Sequence, residues 1–229
     1  MKLKYLLFAV SLLLMSVRAN ATFSIIAYDS STNQFGAALA SCARASSKFD
    51  VSSFVSVIVP EKGIFMTQAM VEFPNRNLEQ AKQKIQSGNY SGDQIISWLK
   101  AYDQSSTPNT RQYLTLSPTQ GFAYSGSKVL EPFGSIIGTN YVIAGNTIDS
   151  DVLSTMEQGF THHTGDLKSK LLAALTSVER ANIGDTRCTK FGSSSMLAFV
   201  KVGPSTTFYN SQTNMEDAIK ELTKLITTP

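Results

Sequence analysis

Apolar and polar residues alternate in the first third of the chain, with the period of two that is typical of β-strands. The alternation begins at Thr22 and runs to Tyr28. The polar stretch 29–33 has turn chemistry, so a β-hairpin with the small apolar run that follows is expected. A second turn, at 60–63, separates two further runs. The pattern therefore predicts four consecutive strands, at 22–28, 35–41, 51–59 and 64–70.

After residue 70 the period changes from that of a strand to that of a helix. Apolar residues at 78, 81 and 85 share one helical face, and Gly88 ends this helix. Ser91 and Gln94 form a capping-box pattern that begins the next helix. Further strands are predicted near 112–116, 121–124, 140–144 and 196–202, and further helices at 152–160, 167–181 and about 214–226, the last of them amphipathic.

Runs of strands that alternate with pairs of helices indicate the α+β class. Two sheets stacked face to face, with a helix layer outside each sheet, would use every predicted element. This arrangement is a four-layer α-β-β-α sandwich. Since no Pro-, Gly- or Ser-rich linker is long enough to divide the chain, residues 22–229 are expected to form a single domain.

Residues 1–21 have the three parts of a secretory signal peptide. Two lysines supply a positive start, an apolar run of 11 residues covers 5–15, and Ala-Asn-Ala at 19–21 is an A-x-A cleavage site. The run is shorter than the ~20 apolar residues that span a bilayer. A buried core helix is the alternative interpretation. Cleavage after Ala21 predicts a secreted or periplasmic protein that has no membrane span and begins at Thr22.

The composition bears on the classes of function that are open. Hydrophobic residues make up 42% of the chain and charged residues 16%, which suits a folded domain. The predicted signal peptide holds three basic residues and no acid, so 17 of the 20 basic residues remain against 17 acidic ones. A neutral mature chain gives no argument for binding nucleic acid or an anionic membrane.

Cofactor chemistry has little support in the sequence. Glycine-rich phosphate-binding motifs are absent, and two His and two Cys are too few for a closed zinc site. The two histidines, His162 and His163, are adjacent and are interpreted as part of a solvated loop. No metal or organic cofactor is therefore expected.

The two cysteines, Cys42 and Cys188, would reach an oxidising compartment if the chain is exported. Only one intramolecular pairing exists, and a disulfide is favoured over two unpaired thiols. Catalysis by either thiol is a weaker interpretation, since neither lies near a histidine in the sequence.

A threonine at a mature N-terminus carries chemistry of its own. Its hydroxyl is the nucleophile and its free α-amine is the base, which acts directly or through a water. The ordinary pKa of an α-amine is about 7.7–8.0, so the group is close to its working point at neutral pH. No His or Asp partner is required, which fits a chain this poor in histidine. Chance exposure of Thr22 by signal cleavage is the alternative.

Several short segments, in order along the chain, resemble the N-terminal-nucleophile hydrolases, and more narrowly the bacterial family called domain of unknown function 1028. The resemblance covers about 22–202, so the helix at 214–226 lies beyond it. It implies a four-layer α-β-β-α fold with the nucleophile at the first residue of a core strand, and it implies no substrate. Many members begin with Met followed by Thr, whereas this chain has a signal peptide. The segments are TFSIIAYD at 22–29, GAALAS at 36–41, MTQA at 66–69, IAGN at 143–146, and GDTR at 184–187 with the serines at 194–195.

The resemblance also implies partners for Thr22. Gln68 ends the fourth strand, which flanks the nucleophile in this superfamily, so the N–H of Gln68 or Ala69 is a candidate oxyanion donor. Asn146 is a second candidate, because it follows a strand and a glycine that permits close backbone approach. Ser41 ends the second strand, where a polar side chain orients the nucleophile in other members. Each has a structural alternative: Gln68 is a buried hydrogen-bonded amide, Asn146 a turn residue and Ser41 a polar residue at a strand end.

Polar residues near Cys188 are candidates of a second kind. Asp185 forms an ion pair with Arg187 that holds the disulfide loop, or it orients the α-ammonium of Thr22, and the structural role is favoured. Ser193–Ser195 precede the late strand, a position from which a hydroxyl could reach the amine.

These observations predict a secreted N-terminal-threonine hydrolase that cleaves an amide or related acyl bond through an acyl-enzyme on Thr22. The expected partner is a small-molecule or peptide amide substrate, and a homo-oligomer is compatible with the sequence. Two alternatives from other classes stay open. One is a secreted binding module on the same sandwich without catalysis. The other is a surface-docking protein, which would carry an exposed apolar patch.

Overall fold

The computed structural model of the protein describes residues 22–213 and 216–228, so the predicted signal peptide at 1–21 lies outside it. The described part has mixed α/β structure, with two antiparallel sheets and seven α-helices. The strands are β1 Thr22–Asp29, β2 Gln34–Ser41, β3 Ser56–Val59, β4 Gly63–Ala69, β5 Arg111–Leu116, β6 Gly121–Ser125, β7 Phe133–Ile137, β8 Tyr141–Asn146, β9 Leu197–Val202 and β10 Ser205–Asn210. The helices are α1 Val51–Val55, α2 Arg76–Ser87, α3 Gly92–Ala101, α4 Val152–His162, α5 Leu167–Arg180, α6 Thr186–Thr189 and α7 Ala218–Thr227.

The larger sheet has six strands in the order β10-β9-β2-β1-β8-β7, and the smaller has four in the order β3-β4-β5-β6. Strand β1 lies inside the larger sheet, between its predicted hairpin partner β2 and strand β8. The register pairs Phe23 with Ala40 of β2, and it pairs Thr22 with Asn146 of β8. The first residue of the predicted mature chain is therefore held between two neighbouring strands.

Three apolar clusters follow from the alternation of side chains along the strands. One cluster joins one face of the larger sheet to α4, α5 and α7, with Phe23 and Ile25 of β1 on that face. The second contains residues of both sheets, among them Ile26 of β1 and Met66 of β4. The third joins the other face of the smaller sheet to α2 and α3. The face of each sheet that carries side chains of the second cluster is its inner face.

Helix α2 ends, and helix α3 begins, where the sequence predicts. The Asn75 side chain accepts a hydrogen bond from Leu78 N–H at 3.1 Å at the start of α2, and Gly88 ends that helix with φ of 70°. The Gln94 side chain accepts a bond from Ser91 N–H at 3.0 Å, which is one half of the predicted capping box of α3.

The predicted strand 51–59 is wrong in its first half. Val51–Val55 forms α1, and the Asp50 side chain caps it by accepting a bond from Ser52 N–H at 2.9 Å. Val51 and Val55 are four residues apart, a spacing that fits one face of a helix as well as one face of a strand.

The pattern does not predict two edge strands, and the last helix begins after its predicted start. Strands β7 and β10 are the outer strands of the larger sheet, and β7 alternates between exposed and half-buried residues, so neither has the apolar run of an inner strand. Helix α7 begins at Ala218, and residues 214–215 of the predicted helix lie outside the described residues. In the described part, no helix is both long enough and apolar enough to cross a membrane.

Candidate active site

A row of buried polar side chains continues the inner face of both sheets at one end. Thr22 and Ser24 lie on the same face of β1 as Ile26 and are 2% and 0% exposed. Ser41, Gln68, Gln112 and Asn146 extend the inner faces of β2, β4, β5 and β8 in the same way, because each lies two residues from an apolar member of the second cluster. Thr22 therefore lies in a buried polar cluster that tertiary structure assembles from five strands.

Thr22 contacts the serine that the sequence places beside it. The Thr22 Oγ1–H donates to Ser41 Oγ at 3.4 Å, at the long end of the range for a hydrogen bond. Ser41 Oγ also accepts from Ala43 N–H at 3.1 Å, which holds the hydroxyl in place. Both alternatives for Ser41, a strand-end polar residue and a partner of Thr22, fit this geometry.

A chain of side-chain amides crosses from one sheet to the other beside Thr22. Ser24 Oγ–H donates to Gln68 Oε1 at 2.5 Å, and Gln68 Nε2 donates to Gln112 Oε1 at 2.9 Å. Asn146 Nδ2 donates to the same Gln112 Oε1 at 2.8 Å. The Gln68 side chain is thus a buried hydrogen-bonded amide, as the structural alternative held.

Ser24 and Gln112 connect the predicted candidates, and sequence reasoning missed both. Each is a polar residue on the inner face of a strand that continues with apolar residues, Ile26 after Ser24 and Leu114 after Gln112. That interruption of the alternation is the signal that could have identified them.

Ala69, the predicted oxyanion donor, has unusual backbone geometry. Its φ is 69°, a left-handed conformation that costs free energy for a residue with a side chain. The next residue is held on both sides, because Met70 N–H donates to Thr110 O at 3.2 Å and Met70 O accepts from the Arg111 guanidinium. The turn at the end of β4 is therefore held in one conformation, although its role as an oxyanion donor stays a prediction.

Arg111 belongs to a buried ionic network on the other side of β5. Its Nε lies 3.0 Å from Asp103 Oδ2, and both side chains are at most 1% exposed. Tyr113 Oη–H and Asn77 Nδ2 donate to the same oxygen at 2.8 and 2.6 Å, and half-buried Glu72 lies 3.3 Å from Arg111 Nη2. No local pattern in the sequence indicates this network.

The Asp103 carboxyl is held in its charged form. Burial alone would raise its pKa, but hydrogen bonds from Arg111, from the N–H groups of Thr107 and Ser105 and from Tyr113 outweigh burial. The pKa of Asp103 therefore lies well below its usual range. Burial, and then the negative charge of Asp103, raise the pKa of Tyr113, which stays protonated as a donor.

The predicted disulfide is present next to Ser41 of the buried polar cluster. The Sγ atoms of Cys42 and Cys188 are 1.96 Å apart, and they join the residue after β2 to α6. The buried Asp185 carboxylate accepts from Cys42 N–H at 2.6 Å and from Arg187 Nη2 at 2.8 Å. These contacts fit the structural alternative for Asp185, an ion pair with Arg187 that holds the disulfide loop.

Removal of the disulfide is expected to lower the free energy of unfolding by about 3–5 kcal/mol, because the bond joins residues separated by 146 positions and restricts the unfolded chain. The measurement is urea unfolding with and without a reducing agent. A Cys42→Ala/Cys188→Ala double variant is the control, and its unfolding midpoint should not respond to the reductant. An equal response in both proteins would contradict this account.

The remaining candidates are the two histidines and the serines that precede β9, of which Ser194 O accepts from Asp185 N–H at 3.1 Å. The predicted solvated loop at the two histidines is wrong for His162, which is the last residue of α4, while the exposed His163 follows that helix. Among the described residues, no group of three His, Cys, Asp or Glu side chains has an arrangement that could hold a metal. The Ser194 hydroxyl donates to Asp217 Oδ2 at 2.6 Å, and Asp217 is the residue whose side chain caps α7.

Sequence comparison assigns the chain to a family without an assigned function. The family model described as "Family of unknown function (DUF1028)" matches residues 22–222, and the chain belongs to this family. The match extends past residue 202 and includes half of α7, so the expectation that the last helix lies beyond the resemblance is wrong. No curated protein matches the chain.

A solved structure of the same family shares the fold over most of the chain. The crystal structure of a DUF1028 protein from Silicibacter pomeroyi matches with a TM-score of 0.71 and 22% identity, over 90% of this chain and 84% of that one. Eukaryotic HslV from Trypanosoma brucei matches with a TM-score of 0.43 and 6% identity, over 79% of this chain and 98% of that one. The first likeness concerns the fold, and the second is too distant to support an argument about function.

Proposed function

We propose that this protein is a secreted N-terminal-threonine hydrolase that cleaves an amide or related acyl bond through an acyl-enzyme on Thr22. The observation that carries the proposal is the position of Thr22. It follows the predicted signal cleavage site, and it opens β1 at the head of the buried polar row. Cleavage after Ala21 would turn the Thr22 peptide nitrogen into a primary amine beside the hydroxyl of the same residue.

The first half of the reaction forms the acyl-enzyme. Thr22 Oγ1 attacks the carbonyl carbon of the substrate, and the hydroxyl proton passes to the Thr22 α-amine. The tetrahedral intermediate then breaks its C–N bond, and the leaving amine takes the proton from the α-ammonium. The product of this half is an ester between the acyl group and Thr22 Oγ1.

The second half hydrolyses the ester. Water attacks the ester carbonyl and gives a proton to the α-amine. The bond to Thr22 Oγ1 then breaks, and Oγ1 takes that proton back, which restores the starting state and releases a carboxylic acid. In both halves the backbone N–H groups of Gln68 and Ala69 are the proposed oxyanion donors, with the Asn146 side chain as a further candidate.

The arrangement of layers belongs to the same proposal. The three apolar clusters place helices against the outer face of each sheet and one cluster between the sheets. This packing supports the four-layer α-β-β-α sandwich in which N-terminal nucleophiles lie at the start of a core strand. The disulfide supports export, because such bonds persist in oxidising compartments.

The intact mass of the exported protein tests the proposal, measured first without and then with a reducing agent. The expected mass corresponds to a chain that begins at Thr22 with an unmodified amine and gains two hydrogens on reduction. A start at any other residue, or a blocked amine, would exclude the hydroxyl-plus-amine mechanism and favour the non-catalytic binding module.

A further inference from the structure

The Asn146 side chain has a buried oxygen that no donor satisfies in the described part of the chain. Asn146 is 1% exposed, and its Oδ1 accepts no hydrogen bond there. The described residues hold two other buried atoms of this kind, Gln80 Oε1 and Ser195 Oγ. Of the three residues, Asn146 is the one paired with Thr22 in the sheet register.

The neighbouring bonds determine which atom of the Asn146 amide is the oxygen. Gln112 Nε2 lies 3.0 Å from Gly145 O, and a carbonyl oxygen only accepts, so that end of the Gln112 amide must be the NH₂ group. Gln112 Oε1 is then the acceptor, and the Asn146 atom 2.8 Å away must be its NH₂ group. Oδ1 of Asn146 therefore points away from Gln112 with its lone pairs unused.

Thr22 lies where a donor for that oxygen would be needed. Residues directly opposite each other in antiparallel strands point to the same face, with Cβ atoms about 4.5–5.5 Å apart. Thr22 and Asn146 are such a pair, and both side chains lie on the inner face. A peptide nitrogen at Thr22 has one N–H, whereas a free ammonium there has three. Cleavage after Ala21 therefore creates new donors beside an unsatisfied acceptor.

We propose that Asn146 Oδ1 accepts a hydrogen bond from the free α-ammonium of Thr22 and so holds the general base against Thr22 Oγ1. The inference rests on the proposed function and names Asn146 as a positioning residue. The contact favours the charged form of the amine, because a hydrogen bond to a charged group stabilises that group. It differs from the oxyanion role of Asn146, which would use the nitrogen of the same side chain.

The pKa of the Thr22 α-amine tests the proposal without a known substrate. It is obtained from the pH dependence of acetylation by acetic anhydride, followed by mass spectrometry of the N-terminal peptide. We expect Asn146→Leu, which removes the acceptor, to lower this pKa by about one pH unit. Asn146→Asp keeps an acceptor and adds a negative charge, so it should raise the pKa by about one unit.

Asn89→Asp is the matched control, because it adds the same charge on an exposed loop and should leave the amine pKa unchanged. An amine pKa that is the same in the wild type and in Asn146→Leu would overturn the proposal, whatever the result for Asn146→Asp. If Asn146→Leu does not fold, Asn146→Ala takes its place, because it also removes the acceptor and adds no charge. A chain that does not begin at Thr22 would instead refute the proposed function, so the two failures are distinguishable.

Discussion

Thr22→Ala is expected to abolish covalent modification by a β-lactone, an acylating probe that reacts with hydroxyl nucleophiles. The rate of labelling should fall by at least about 1,000-fold, because alanine offers the amine but no oxygen to acylate. The measurement is the mass gained by the N-terminal peptide as a function of time. The fold should persist, since the hydrogen bond from Thr22 to Ser41 is long and such bonds contribute about 1 kcal/mol.

Two further variants make this result specific. Thr22→Ser keeps the hydroxyl and the amine, so labelling should continue at the same residue. Thr119→Ala removes an exposed threonine hydroxyl from the turn between β5 and β6, and labelling should be unchanged. Undiminished labelling of the N-terminal peptide in Thr22→Ala would show that the oxygen of Thr22 is not the nucleophile.

Asp103→Asn is expected to lower the free energy of unfolding by about 3–5 kcal/mol at neutral pH. The Arg111 guanidinium would stay buried with half-buried Glu72 as its one remaining negative partner among the described residues. The six donors around the Asp103 carboxylate would also face an amide, which accepts at one atom only. Urea unfolding monitored by circular dichroism measures the difference.

The effect of this substitution should depend on pH in a definite direction. The pKa of Asp103 is lowered in the folded state, so its charge stabilises the fold above the unfolded pKa of about 3.9. This contribution is lost as the pH falls through the lower folded pKa. The difference between the wild type and Asp103→Asn should therefore be largest at neutral pH and narrow below pH ~4.

Glu131→Gln is the matched control, because Glu131 is exposed and the same chemical change should alter stability by less than about 0.5 kcal/mol. A constant difference between the wild type and Asp103→Asn from pH 7 to pH 2 would contradict the role given to the charge. A small effect at neutral pH would show that Arg111 finds other partners.

Local periodicity predicted the inner strands and most helices, because burial on both faces leaves a strong apolar signal. Strands β7 and β10 were missed because they are the edges of the larger sheet, where one side of the strand has no neighbour. Residues 51–55 were assigned to a strand because valines four apart satisfy both periods. These errors come from patterns that are weak or ambiguous over short stretches.

The residues of the candidate site also fall into two groups, those that the sequence predicts and those that only the fold shows. Thr22 could be named because it follows the predicted cleavage site, and Ser41 and Asn146 because the family resemblance implies them as its partners. The structure pairs Asn146 with Thr22 in the sheet and bonds Ser41 to the Thr22 hydroxyl. Ser24 and Gln112 interrupt the apolar pattern of an inner face, but only the tertiary structure shows that both bond the Gln68 side chain. The sequence did not show whether Asp185 contacts Thr22 or the disulfide loop. In the fold, its carboxylate accepts hydrogen bonds from Cys42 and Arg187, which belong to that loop.

The sequence by itself determined the class of fold and the identity of the one possible disulfide, and it predicts Thr22 as the first residue after signal cleavage. These are local properties, which depend on spacing, composition and order along the chain. The amide chain from Gln68 through Gln112 to Asn146 and the ion pair of Asp103 with Arg111 were decided by tertiary structure alone. Such contacts depend on which strands pair and in which register, and burial then compels each polar group to find a partner.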